Sequence, residues 1–380
     1  MKASFRLLRI AGIDIGIHYS WILIFILLTW SLAQGFFPQK YPGWDVATYW
    51  ITGVVAVLLL FVSVLLHELA HSLVAKSRGL PVSSITLFIL GGVSNLQEEP
   101  SKASVEFSMA IVGPVTSLII GGICWGLLQA VAAKTSPAGA TLYYLALINV
   151  LLAGFNILPA FPLDGGRVLR SIIWGNTKDL TKATNIAATV GRFFGWAMIA
   201  FGLFWLLTGN FLGGLWIAFI GWFLSSAAES SRLQITLQEH LTGVKVKDVM
   251  NVMPEKVAPA APVDEVVRNI FYQGKGRAAL VVRNDSLLGI VTITDVKKLP
   301  HDKWLDTPVE HIMSHMPLQT VSPDDDLNSV MKLIVSHDIN QVPVVQNGKI
   351  MGILNRADII RHLQVSQELG IKRATTNMKQ

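Results

Sequence analysis

Six apolar segments decide what this chain can fold into. They lie at about 17–37, 47–75, 105–133, 141–160, 187–208 and 211–228 and carry very few charged side chains. About 20 residues of α-helix cross the roughly 30 Å hydrocarbon core of a bilayer, so each segment is long enough to span it. Only 15% of the 380 residues are charged and 52% are hydrophobic, whereas roughly 25% of a soluble domain is charged. The chain is therefore predicted to be a polytopic α-helical membrane protein with about six transmembrane helices.

The basic residues between these segments predict an orientation. If the N-terminus is cytoplasmic, the cytoplasmic side carries Lys2, Arg6, Arg9, Lys76, Arg78, Lys102, Arg167, Arg170, Lys178, Lys182 and Arg232, and the other side carries Lys40 and Lys134. This asymmetry follows the positive-inside rule and accounts for the net charge of +6. A multi-pass protein of the cell membrane with a cytoplasmic N-terminus and C-terminal region is expected. Since no long basic run is present, no nucleic-acid partner is predicted.

The first apolar segment also permits a second interpretation. It follows three basic residues and ends in Ser31-Leu32-Ala33, which resembles a signal-peptide cleavage site. A retained helix is favoured, because the segment is long enough to span a bilayer and further apolar segments follow.

The chain changes character after Glu229. Charged and polar residues there alternate with short runs of Val, Ile and Leu, which is typical of a soluble α/β domain. An offset of 63 residues aligns Val249–Pro254 with Ile312–Pro317 and Leu288–Val296 with Met351–Ile359, so this region is an internal repeat. The predicted organisation is a membrane domain at 1–228, a linker at 229–243, two repeats at 244–300 and 301–365, and a polar tail at 366–380.

A metal-ligand pattern lies inside the second apolar segment. His67 and His71 are four residues apart on a predicted helix, so both imidazoles lie on one face and can bind one Zn²⁺ ion. In this pattern Glu68 is not a ligand but accepts a proton from the water that the metal activates. The alternative is a structural pair of histidines with a salt-bridged glutamate. Ionisable groups in a spanning segment are expensive, which favours the functional interpretation.

A third ligand must come from elsewhere, because the residues after His71 contain no further histidine motif. The single cysteine, Cys124, provides neither a thiolate cluster nor an intrachain disulfide. The acidic candidates are Glu98, Glu99, Glu106 and Asp164. Asp164 is favoured, because it lies in Phe155–Arg167, where prolines and glycines predict non-helical backbone, which is tolerated at membrane depth only beside a cavity. A helix cap or a pair with Arg167 is the alternative for Asp164.

Taken together, the segments LLHELAHSLVAK, GPVTSL and FNILPAFPLDGGR resemble the site-2 protease family of intramembrane zinc metalloproteases, and GIDIGIHYSW resembles the family's entry into its first helix. The resemblance covers about residues 10–228. It implies one zinc ion held by His67, His71 and Asp164, with Glu68 as base and Asn156 placing substrate or oxyanion. An amide bonded to a backbone carbonyl is the alternative for Asn156. The resemblance also implies small strands within Leu87–Pro100, to which an unwound substrate could add; a supporting hairpin is the alternative.

The repeated region resembles a pair of CBS domains over about 244–365. The family's motif is present as Gly289, Thr292 and Asp295, and in the second copy as Gly352, Asn355 and Asp358. The resemblance implies an adenine nucleotide, AMP or ATP, contacting Thr292, Asp295 and Asp358, and a homo-oligomer formed through these domains. Asn355 departs from the motif, so one good site at most is expected. A dimerising scaffold without nucleotide, with Asp295 as an ordinary helix cap, is the alternative.

The leading hypothesis is a zinc endopeptidase that cleaves membrane-anchored proteins in or near their transmembrane segments. The resemblance suggests tethered anti-sigma factors or remnant peptides as substrates, with membrane lipid around the enzyme and nucleotide as regulator. One rival is a non-catalytic, nucleotide-gated receptor or chaperone. A channel or transporter is another rival, and it would predict paired inverted repeats, which the sequence does not contain.

Overall fold

Long apolar helices form the first part of the chain. The computed structural model describes residues 4–89, 91–96, 100–241, 243–284 and 286–369. Within them, five helices are long and apolar enough to cross a membrane. One consists of α1 (Ser20–Ser31), a π-helical turn (Leu32–Phe36) and α2 (Phe37–Lys40); the others are α3 (Val46–Ser77), α4 (Ala103–Ala130), α5 (Pro137–Asn156) and α7 (Leu180–Leu207). The prediction of a polytopic α-helical membrane protein is confirmed.

Two further helices complete this part. Helix α6 (Asp164–Thr177) lies between α5 and α7, in a region where the sequence predicts broken backbone. Helix α8 (Phe211–Leu241) covers the sixth predicted segment and continues through most of the residues for which a linker is predicted. The Arg192 guanidinium of α7 is 3.0 Å from the Glu229 carboxylate of α8.

A small sheet accompanies the helices. Its strands are β1 (Phe5–Ile10), β2 (Ile13–Ile17), β3 (Val82–Phe88) and β4 (Gly91–Leu96), in that spatial order. β2 and β3 are parallel and the other neighbours antiparallel. Ile13 and Ile85 are fully buried and pack with Leu69 of α3 and Met109 of α4. The sheet therefore packs against α4 and against α3, the helix that carries the metal-ligand pattern, and β4 is an edge strand of the described sheet.

The chain forms two compact units, Met1–Leu233 and Gln234–Gln380. The second unit contains the repeat. Its strands are β5 (Lys256–Val257), β6 (Ala278–Arg283), β7 (Ser286–Thr292), β8 (Ser314–His315), β9 (Gln341–Gln346) and β10 (Lys349–Asn355), and its α-helices are α9 (Val263–Val266), α10 (Ile293–Val296), α11 (Leu327–Ser336) and α12 (Arg356–Glu368). Residues 370–380 of the predicted tail lie outside the described residues.

Each repeat buries its leading segment in the core of the other repeat. Val244 and Val246, at the start of the first predicted repeat, are buried in the core of the second repeat. Val309 and Met313, which precede β8, are buried in the core of the first. Matching backbone pairs, Asn251 with Ile353 and Ser314 with Ile290, follow the same 63-residue offset. The repeats are thus halves of one interlocked domain, because each core is incomplete without the other's leading segment.

Candidate metal centre

Three side chains from two distant parts of the sequence converge inside the first unit. His67 and His71 project from α3, and Asp164 begins α6. Asp164 Oδ2 lies 3.1 Å from His67 Nε2 and 3.2 Å from His71 Nε2. The three ligand atoms lie within 4.8 Å of one another, and the described residues contain no second group of this kind. Two imidazole nitrogens and one carboxylate oxygen are a typical protein ligand set of a catalytic zinc site, in which the fourth position is left to water or substrate.

The histidine rings are held from behind by α4. His67 Nδ1 is 2.9 Å from Ser117 Oγ, and His71 Nδ1 is 2.6 Å from the Met109 carbonyl oxygen. The Met109 carbonyl can only accept, so His71 Nδ1–H donates to it, and the contact of His67 Nδ1 with Ser117 turns the His67 ring the same way. Both Nε2 atoms therefore face Asp164 and are the atoms that can bind a metal ion. Both histidines are nearly inaccessible, with exposures of 4% and 5%. Their orientation is therefore set inside the protein.

Space for an ion is provided by Gly113 on α4. A Cβ atom at this position would lie 2.6 Å from His67 Nε2 and closer still to His71 Nε2, distances that real Cβ atoms do not tolerate. Any larger residue would fill the point at which the ligand atoms converge. The glycine and the donor set thus fit a bound zinc ion.

The third ligand is placed by a tight turn. The backbone of residues 157–161 runs against the start of α6, where a Cβ on Gly165 or Gly166 would collide with Ile157 or Phe161. Glycine is a poor helix former, and the sequence predicts broken backbone here. The structure contains this break at 157–163, between the end of α5 and the start of α6. It corrects the prediction only from Asp164 onward, where α6 begins and close packing against the turn offsets the low helix propensity of the two glycines.

The other acidic candidates have different positions. Glu106 is fully buried in an ion pair with Arg170 of α6 and does not belong to the ligand group. Glu98 and Glu99 lie outside the described residues. Glu68 is half-buried beside β4, where a Cβ added to Gly92 would meet its Cγ at 2.5 Å.

Asn156 ends α5, eight residues before Asp164. Its Nδ2 donates to the Leu152 carbonyl oxygen at 3.0 Å. This contact is the alternative that the sequence left open for Asn156, and a role in substrate placement stays a prediction.

The predicted nucleotide-binding residues cap helices in the second unit. Thr292 Oγ1 donates to Asp295 Oδ2 at 2.7 Å, and Asp295 N donates back to Thr292 Oγ1 at 3.3 Å. Lys298 Nζ is 3.2 Å from Asp295 Oδ1. In the second repeat, Asn355 Nδ2 donates to Asp358 Oδ2 at 2.7 Å. These residues have the capping contacts that the sequence gave as the alternative for Asp295.

Sequence reasoning missed the contribution of α4. GPVTSL is part of the resemblance, but nothing in the sequence assigns Gly113 to the ion's space or Ser117 to His67. The Met109 contact involves a backbone carbonyl, which carries no residue signal. The spacing of Glu106, Met109, Gly113 and Ser117 on one helical face is the signal that could have found them.

Comparison with known proteins now defines the class. The model of peptidase family M50 matches residues 55–136 and 126–198, and the CBS domain model matches 246–302 and 309–365. A Synechocystis protein named "Putative zinc metalloprotease sll0528" is 36% identical over 374 residues, covering 96% of this chain and 97% of that protein. "Zinc metalloprotease MJ0392" of Methanocaldococcus jannaschii is 31% identical over 367 residues, covering 96% and 97%. The solved site-2 protease of the same organism is 34% identical, covers 60% of this chain and 94% of its own, and has a TM-score of 0.42.

With the apolar helices, the match to the model of peptidase family M50 and the relatives named zinc metalloprotease define an intramembrane zinc metalloprotease. The chain belongs to peptidase family M50, with two CBS domains following the protease domain. The predicted family, the enzyme class and the tandem CBS domains are confirmed, and the receptor, chaperone, channel and transporter alternatives are not retained.

Proposed function

We propose that this protease cleaves peptide bonds in or near the transmembrane segments of membrane-anchored proteins, with His67, His71 and Asp164 holding one Zn²⁺ ion. Tethered anti-sigma factors and remnant peptides are the substrate types we expect. The observation that carries the proposal is the convergence of the three ligand atoms at a helix, α3, that is long and apolar enough to cross a membrane. A site at that depth selects substrates that are themselves in the membrane.

Glu68 is proposed as the general base. When bound, Zn²⁺ supplies Lewis-acid activation of water and of the scissile carbonyl. The Glu68 carboxylate takes a proton from the attacking water and later delivers it to the amine nitrogen that leaves as the C–N bond breaks. Glu68 follows His67 directly on α3, so one rigid helix fixes base and ligands together.

Substrate is proposed to reach Glu68 along β4. This strand pairs with β3 on one side, and its Gly92 lies against Glu68. A transmembrane helix keeps its backbone N–H and C=O groups in intrahelical hydrogen bonds, so it must unwind before a scissile carbonyl becomes accessible. The extended segment can then add to a sheet edge by backbone hydrogen bonds. Asn156 is proposed to turn its amide from Leu152 to the substrate carbonyl.

The CBS pair is proposed to bind AMP or ATP, to regulate cleavage, and to support a homo-oligomer. The motif residues Thr292 and Asp295 support the first repeat as the better site, with Asp358 in the second. To contact the ribose of the nucleotide, Thr292 and Asp295 must give up their hydrogen bond to each other, and Asp295 must also give up its contact with Lys298. We also propose the cell membrane as location with cytoplasmic N-terminus and CBS domains, because the basic residues cluster on that side.

The mechanism is tested with purified full-length protein and a model substrate that carries one transmembrane segment. Glu68→Gln should keep wild-type zinc content and lose cleavage, since the amide cannot accept the proton. Glu265→Gln, at an exposed glutamate of the second unit, is the matched control and should cleave normally. Wild-type cleavage by Glu68→Gln would refute Glu68 as base. A wild-type protein without stoichiometric zinc would refute the proposed centre.

A further inference from the structure

Helix α4 supplies no metal ligand, yet one of its faces contacts both histidines and the helix that begins with Asp164. Glu106, Met109, Gly113 and Ser117 are spaced three, four and four residues apart, which places them along one side of a helix. We propose that this α4 face sets the geometry of the metal centre, with Ser117 and Glu106 as positioning residues. The inference rests on the proposed ligand set and goes beyond it.

Ser117 acts through His67. It is fully buried, and its hydroxyl oxygen lies 2.9 Å from His67 Nδ1. The neighbouring Thr116 donates its hydroxyl to its own helix, at the Val112 carbonyl oxygen 2.8 Å away. Ser117 is thus bonded across to α3, whereas Thr116 is bonded within α4. Outer-shell groups of this kind fix the tautomer and ring orientation of a ligating histidine.

Glu106 acts through α6, the helix that begins with Asp164. Its Oε1 accepts from Arg170 Nε at 2.7 Å and also from Arg170 Nη2. The Arg167 Nε is 3.9 Å from the same oxygen. The Arg170 guanidinium also lies 4.9 Å from the centre of the Phe161 ring, in the turn before Asp164. One ion pair therefore fixes the turn and the helix on either side of the third ligand.

The burial of this pair argues against a role in stability alone. Glu106 is 0% and Arg170 5% exposed, and Glu106 Oε2 has no hydrogen-bond partner among the described residues. Desolvation makes such pairs poor stabilisers, and apolar residues of similar size often serve as well or better. A requirement for fixed geometry explains why charges occupy this position.

The test measures zinc affinity of the full-length protein in detergent by competition with a chelator, and reads site geometry from the visible spectrum of the Co²⁺-substituted protein. Ser117→Ala and Glu106→Gln should each bind zinc about tenfold to a hundredfold more weakly, with altered Co²⁺ spectra. Thr116→Val, which removes a hydroxyl one residue away, should match wild type. Ser117→Thr restores a hydroxyl and should recover most of the affinity.

Thermal unfolding of the metal-free proteins separates positioning from folding. Where Glu106→Gln is too unstable to purify, the double variant Glu106→Met with Arg170→Met removes both charges and should fold yet bind zinc weakly. The inference would be overturned if the Ser117 and Glu106 variants had the same zinc affinity and Co²⁺ spectra as Thr116→Val. Zinc binding by wild type would in that case leave the proposed centre intact. Failure of wild type to bind zinc would instead refute the centre itself.

Discussion

Asp164 Oδ2 lies 3.1 Å from Nε2 of His67, a residue 97 positions earlier in the chain. His67 lies within α3, and Asp164 is the first residue of α6. Their contact forms because α6 packs against α4 and against the turn that follows α5. The two histidines share one helix, so their separation is fixed when α3 forms. Completion of the centre therefore depends on tertiary packing around Asp164.

Replacement of Asp164 should abolish zinc binding. Asp164→Asn leaves the shape nearly unchanged but removes the anionic ligand, so zinc content measured by elemental analysis should fall from one per chain to near zero and cleavage should be lost. Asp179→Asn is the control, because Asp179 is exposed and caps α7, a role that asparagine also performs. Stoichiometric zinc in Asp164→Asn would exclude Asp164 as a ligand.

Gly113→Ala should displace the metal without disturbing the helix. The added methyl group would occupy the space beside both Nε2 atoms, while alanine favours helix over glycine by up to about 1 kcal/mol. Gly122→Ala on the same helix meets nothing within 4 Å and serves as control. Elemental analysis should find zinc only in the control. Equal zinc contents would mean that the ion lies away from Gly113.

Local periodicity explains what the sequence could predict of this site. His67 and His71 are one helical turn apart, so their shared face follows from helix geometry alone. Asp164 is favoured among four acidic residues by its broken surroundings, but the packing that brings it to the two histidines is not predictable from the sequence. Ser117 and Arg170 act through contacts between α3, α4 and α6. Helical spacing places Ser117 on one face of α4, but it does not show which helix that face contacts.

The fold, like the site, combines features that local sequence patterns predict with features that depend on tertiary packing. Apolar length predicts six spanning segments, and among the described residues five helices are long and apolar enough to cross a membrane. A fixed offset was sufficient to predict the repeat. The exchange of leading segments was not visible, because Val244 and Val309 look equally suited to either core. Likewise, two glycines after Asp164 predicted loop by propensity, whereas packing against the turn at 157–161 makes the segment helical.

The leading segment of the first repeat, which carries Lys245 and Lys247, should be less stable in acid, because Asp324 then becomes protonated and loses its ion pairs with these lysines. The pKa of Asp324 is lowered chiefly by its hydrogen bond from Lys247, 2.8 Å away, and by Lys245. A lowered folded pKa gives stability that is present above the ordinary carboxyl pKa of about 3.9 and is lost as pH falls through the folded value. The unfolding temperatures of wild type and Asp324→Asn should therefore differ most at neutral pH and converge in acid. A difference independent of pH would contradict this. Both partners are exposed, so high salt should also reduce the difference.

Nucleotide binding should depend on the first repeat. Titration calorimetry of the full-length protein with AMP and with ATP should show one dominant site, and Asp295→Ala or Thr292→Val should weaken it about tenfold or more, since hydrogen bonds to a charged group contribute roughly 1.5–3 kcal/mol. Asp306→Ala, at an exposed aspartate, is the control. Thr292→Ser keeps the hydroxyl both for the ligand and for the cap of α10, so it should bind nucleotide like wild type. Asn355→Thr restores the motif in the second repeat and should add a second binding event.

Absence of saturable binding by wild type to either nucleotide would favour the dimerising scaffold. A change in the sedimentation coefficient after truncation at 243 would then show that the CBS domains hold the oligomer together.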